Sequence, residues 1–187
     1  MRKALKKLVY YIAKEGYSEE EKERMSYALI TISFELIKLI LIILIFSLLG
    51  YLKQIIIITL TMCAIKPFTG GYHEDSQIKC FIATLLLTTG ELILSLNSIL
   101  DFKSNCIIVF ISIFCIWNQA PVINAKMPIT RPELIRKNRI IGLSTTITLG
   151  ILSIVLQKYT SYYALITWTI LFNAILMFNK REKNVKL

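Results

Sequence analysis

Long apolar runs separated by short polar intervals dominate this chain. Five of them, 28–51, 81–100, 105–123, 140–157 and 159–178, approach the about 20 residues that a helix needs to cross a hydrocarbon core of about 30 Å. A sixth run, 54–65, is followed by Lys66-Pro67-Phe68-Thr69-Gly70-Gly71. Its clean apolar part of about 12 residues makes only about 18 Å of helix, too short to cross alone. Either this helix continues past Lys66, or it stops early and the Pro/Gly segment lies partly within the membrane, where non-helical backbone must be covered by protein or by a wet cavity. The pattern predicts an all-α, polytopic membrane protein. It has six transmembrane helices, the second short or broken, in one domain over 1–187.

Composition supports this and excludes several alternatives. Of 187 residues, 55% are hydrophobic and 18% charged, with a mean hydropathy of +0.61. That is too apolar for disorder, and neither collagen nor a disulfide scaffold has this make-up. The net charge of +10, from 22 Lys+Arg against 12 Asp+Glu, would suggest nucleic acid in a soluble chain. Here the basic residues sit between apolar runs. With both termini in the cytoplasm, seven precede the first span, Lys66 and Lys79 join spans two and three, five join spans four and five, and four follow the sixth. Eighteen of the 22 then lie inside, with Lys53, Lys103 and Lys158 outside and Lys38 within a span. This is the positive-inside pattern, so the charge is an address on membrane lipids and predicts no nucleic-acid partner.

The first 25 residues lack the apolar core and cleavage site of a secretory signal. Leu5, Leu8, Val9 and Ile12 follow helical spacing among Lys3, Lys6, Lys7 and Lys14. That predicts an amphipathic interfacial helix within a cytoplasmic segment 1–26, drawn to anionic lipid. The acidic run Glu19-Glu20-Glu21 with Glu23 reads as a solvated linker or a helix start.

Candidate chemistry concentrates in segment 66–80. It holds the chain's single histidine, His73, beside Gly70, Gly71 and Pro67, which bend and free the backbone. Of four cysteines, Cys63 and Cys115 lie inside apolar spans and Cys106 near the outer end of span four. Apolar burial keeps a thiol inert. Cys80 instead opens span three beside Lys79. There the unpaired N–H groups and positive dipole end of a helix favour the attacking thiolate. His73 is placed to accept its proton and later protonate a leaving amine. Seven helical residues span about 10.5 Å, so direct contact needs a fold-back through Glu74-Asp75. Taken singly, such a cysteine is a small packing residue, such a histidine faces solvent, and Gly-Gly is a turn. Asp75, Ser76, Asn118 and Gln119 are all open as groups orienting His73, and the N–H groups opening span three are the expected oxyanion donors.

Charges within spans are functional candidates. Glu35 and Lys38, three residues apart, most simply pair with each other; alternatively Lys38 meets an acidic segment of a substrate. Glu91, about 16 Å into span three, is either a protonated carboxyl bonded between helices or part of a proton or cation path. These three residues support an alternative reading as a small transporter or exporter component. Arg131, Arg136, Lys137 and Arg139 serve as a positive-inside anchor or an acidic-peptide dock. With one histidine and no Walker-type glycine loop, no metal or cofactor is expected.

Gly70-Gly71-Tyr72-His73, with Cys80 seven residues after the histidine, resembles the accessory gene regulator B (AgrB) family, membrane cysteine endopeptidases of Gram-positive quorum sensing. Ala120-Pro121 with Pro128-Ile129 resembles a second family element, and length, basic N-terminus and six spans agree over essentially the whole chain. The sequence departs at Lys66, where arginine is common, and so loses a bidentate fork. The resemblance implies a multi-pass protein of the bacterial cell membrane that cuts an AgrD-like precursor peptide on its C-terminal side. The N-terminal part is held as a thioester on Cys80, with His73 as base and then acid, and is released as a cyclic thiolactone. Lys66, Gly70, Gly71, Lys38 and Arg131 would support the loop or bind substrate. The resemblance also implies a homodimer, although no interface is readable.

Overall fold

The computed structural model describes residues 11, 17–71, 76–122 and 131–178. These form six helices: α1 (Glu19–Leu48), α2 (Leu52–Thr69), α3 (Gln77–Asn97), α4 (Phe102–Gln119), α5 (Pro132–Leu156) and α6 (Tyr163–Leu176). The first five are long and apolar enough to cross a membrane, and α6 is a shorter apolar helix of 14 residues. The protein is therefore all-helical and of multi-pass membrane type. The chain divides into two compact units, 1–46 and 47–187.

In the first unit, the acidic run proves to be a helix start. Ser18 Oγ accepts from the Glu21 N–H at 3.2 Å, and the Glu21 carboxylate accepts from the Ser18 N–H at 2.8 Å. This reciprocal capping box satisfies donors that a helix start leaves open. Further along α1, Ile32, Leu36, Ile40 and Leu44 are exposed at four-residue intervals, the stripe a lipid-facing helix presents. Glu35 and Lys38 form the expected ion pair. Most of the expected interfacial helix, 1–10 and 12–16, lies outside the described residues.

In the second unit, α6 is the hub and packs against α2, α3, α4 and α5. It is apolar nearly all round, as a helix surrounded by others must be. Ile166, Ile170, Ala174 and Met177 join Ile65 of α2 and Ile116 of α4 in one core cluster. Small residues let α5 approach its neighbours closely. A Cβ on Gly150 would stand 2.6 Å from Val109 Cγ1 of α4, the arrangement small-residue spacing produces between membrane helices.

Where α4, α5 and α6 meet near 100–105 and 153–163, the core is polar. Asn105 Nδ2 donates to Gln157 Oε1 at 3.0 Å, Thr167 Oγ1 donates to Asn105 Oδ1 at 2.6 Å, and Tyr163 Oη donates to the Leu100 carbonyl at 2.6 Å. Ser153 Oγ lies 2.6 Å from Thr167 Oγ1. Each of these polar side chains finds a partner, as a water-free interior requires. The cluster sits at the opposite end of the unit from the chain reversal between α2 and α3.

Of the two outcomes open for the second span, α2 takes the first. It runs on through Lys66 and Pro67 to Thr69, 18 residues or about 27 Å. Segment 66–80 is thereby shortened as a loop: 66–69 belong to α2 and 77–80 to α3, leaving 70–76 as the connection.

Candidate active site

The site is built at the reversal between α2 and α3. Pro67 offers no N–H to the carbonyl four residues back, yet the helix persists until Gly70. There the Gly70 N–H closes the last turn on the Lys66 carbonyl at 3.0 Å, and the backbone leaves the helix at φ 72, ψ −153. That conformation is essentially restricted to glycine. Gly71 continues with φ 143.

A second segment seats this exit. After α4 ends, the chain passes the cis Ala120–Pro121 bond, and Val122 pairs in parallel with Gly70. The Val122 N–H donates to the Thr69 carbonyl at 2.8 Å. The two backbones are so close that a Cβ on Gly70 would stand 2.2 Å from Val122 O. Two sequence elements some fifty residues apart, Gly70-Gly71 and Ala120-Pro121, are thus brought together. Arg139 of α5 steadies the same end of α4, its Nη2 donating to the Trp117 carbonyl at 2.9 Å. A cation at a helix C-terminus also complements the helix dipole.

Ser76 precedes α3 in extended conformation without a side-chain cap bond, and the Cys80 N–H donates to the Ser76 carbonyl at 2.9 Å. Cys80 therefore uses its own N–H inside the helix. The N–H groups of Gln77, Ile78 and Lys79 are those with no intrahelical acceptor. Cys80 is half-buried in this first turn, and helical Cβ atoms tilt towards the N-terminus. Thr84 Oγ1 donates to the Cys80 carbonyl at 2.8 Å, one turn further on. All four cysteines are outside disulfides.

Lys66, Gly70, Gly71 and Cys80 accordingly share one end of the second unit, with Asn118 and Gln119 at the adjoining end of α4. His73 and Asp75 lie outside the described residues. Arg131 is exposed immediately before α5. Measured along that helix it is eleven residues, about 16 Å, before Gly142, which packs on the last turn of α2. Lys38 belongs to the first unit and its partner there is Glu35. Glu91, 1% exposed, accepts from Thr169 Oγ1 of α6 at 3.2 Å.

Residues 5–177 match the profile of the family described as "Accessory gene regulator B". The chain belongs to the AgrB family. It is also 44% identical over 184 residues to "Putative AgrB-like protein 1" of Clostridium perfringens (strain 13 / Type A), covering 98% of each chain. No solved structure matches it. AgrB membership supports a role in processing a quorum-sensing peptide, with an AgrD-like peptide as its link.

Sequence reasoning placed Cys80 at a helix start and the glycines at the chain reversal of this candidate site, but did not single out Val122. Val122 carries no polar side chain to draw notice, and its contribution is a backbone pairing. Gly142 was readable as a glycine eight residues before Gly150 on α5, a spacing that keeps both on one face of a helix.

Proposed function

We propose that this AgrB-family protein is a membrane-embedded cysteine endopeptidase that cleaves the C-terminal part of an AgrD-like pro-peptide and promotes cyclisation of the remainder to a thiolactone. The observation that carries the proposal is Cys80 in the first turn of α3, half-buried beside three N–H groups without intrahelical acceptors and seven residues after the chain's single histidine.

In this mechanism His73 takes the Cys80 proton, and the thiolate attacks the scissile carbonyl. N–H groups at the start of α3 stabilise the oxyanion. Collapse expels the C-terminal fragment, whose amine takes the proton from His73, and leaves a thioester on Cys80. A cysteine within the bound peptide then attacks that thioester. Its proton passes through His73 to the departing Cys80 sulfur, and the ring closes. One thioester replaces another, so ring closure conserves bond energy provided water is kept away.

The basic end of the second unit lies on the cytoplasmic face of a bacterial cell membrane, with both termini on that side. Lys66 offers a positive charge to an anionic part of the peptide, while Gly70 and Gly71 set the course of the segment bearing His73. The transporter alternative loses support because its polar groups have structural partners: Glu35 with Lys38, and Glu91 with Thr169.

The test is co-expression with a cognate precursor. Cys80→Ser and His73→Ala, each verified in the membrane, should accumulate uncut precursor. Cleavage at the wild-type rate in both variants would overturn the proposal.

A further inference from the structure

The last turn of α2 is wedged between two elements. On one side Val122 pairs with Gly70 and binds the Thr69 carbonyl. On the other, α5 presents Gly142: a Cβ there would stand 2.8 Å from Thr69 Cγ2 and 3.3 Å from Phe68 Cβ. Thr69 has little room to withdraw. It is 1% exposed, its hydroxyl donates to the Ile65 carbonyl at 3.1 Å, and its own carbonyl is held by Val122. Nor can α5 easily retreat, since Arg139 binds the Trp117 carbonyl of α4 on one side of Gly142 and Gly150 packs on Val109 of α4 on the other.

We infer that Gly142 is a positioning residue for the proposed peptidase reaction, acting through Thr69 to fix the direction in which the chain leaves α2 towards His73. The inference rests on the peptidase reading. With α5 held on both sides of Gly142, a methyl group at 142 presses on Thr69. The displacement passes into the Thr69–Val122 bond and the Gly70 exit, and so into the placement of the base relative to Cys80. A shift of about 1 Å in reacting groups costs on the order of 100-fold in rate. Gly142 is not among the residues proposed to bind the precursor, so binding of the precursor is expected to persist.

The experiment uses the full chain in vesicles with a synthetic AgrD-like precursor, measuring kcat and KM for cleavage. Gly142→Ala should lower kcat by roughly 10- to 100-fold with KM within about threefold. Thr69→Ser removes the methyl that the new Cβ meets but keeps the hydroxyl that bonds Ile65. In the double-mutant cycle it should therefore recover most of the kcat lost in Gly142→Ala. Gly150→Ala, which makes a comparably tight contact with Val109 away from this exit, should lower thermal stability while leaving kcat near wild type. Unchanged kcat in Gly142→Ala, no recovery with Thr69→Ser, or an equal kcat loss in Gly150→Ala would each overturn the inference. Cys80→Ser in the same series separates the two claims: cleavage that survives it defeats the peptidase reading, whereas its loss together with a failed rescue defeats only the role of Gly142.

Discussion

Replacing Gly70 with alanine tests the seat of the candidate active site. The new Cβ would stand 2.2 Å from Val122 O and 3.1 Å from Val122 C, so the pairing must open. Two costs follow. An alanine held at φ 72, ψ −153 is strained by about 1–3 kcal/mol. Losing the Val122-to-Thr69 hydrogen bond removes about 1 kcal/mol more. Together these amount to roughly 2–4 kcal/mol, enough to favour a displaced exit over the native one. Gly71→Ala provides the comparison, because Gly71 has φ 143 but nothing within 4 Å of an added methyl; it carries backbone strain without the clash. Cleavage of precursor by purified protein in vesicles is the assay. Gly70→Ala should fall about 100-fold, and Gly71→Ala should fall markedly less. Equal effects, or a Gly70→Ala protein with wild-type activity, would refute the argument that the approach of Val122 sets the requirement for glycine.

Three further outcomes are expected. Glu35→Gln removes the carboxylate facing Lys38, whose side chain is 8% exposed; it should cost about 1–3 kcal/mol in thermal unfolding, and adding Lys38→Met should recover part of that loss. Asn105→Ala breaks bonds to Gln157 and Thr167 and should destabilise by about 1–3 kcal/mol, measured by denaturation in detergent. Glu91→Gln keeps an amide oxygen able to accept from Thr169, so precursor cleavage should stay within about threefold of wild type. Abolished cleavage would give Glu91 a chemical role that the proposed mechanism lacks.

Much of this arrangement was legible in the sequence because membrane helices must be long and apolar. All six runs became helices, and the Glu35–Lys38 pair followed from helical spacing alone. The ends were less legible. Whether the second span ended at Ile65 was open, because Lys66 and Pro67 interrupt the apolar run; the helix continues through both to Thr69. The sixth span loses its first residues to a turn, and α6 begins at Tyr163, whose hydroxyl bonds the Leu100 carbonyl some sixty residues away. At the candidate site, the place of Cys80 at a helix start was legible. The Val122–Gly70 pairing was not, since a backbone contact across fifty residues leaves little trace in side-chain chemistry. Gly142 likewise gains meaning only from the neighbour it admits.

The central claim is that Cys80 forms a thioester with the precursor. Intact-protein and peptide mass spectrometry after rapid acid quenching tests it most directly. The account predicts an adduct equal in mass to the N-terminal part of the precursor, located on the peptide containing Cys80, released by hydroxylamine and absent from Cys80→Ser. Cleavage of the precursor at an undiminished rate by Cys80→Ser, with no such adduct on the wild-type protein, would contradict it.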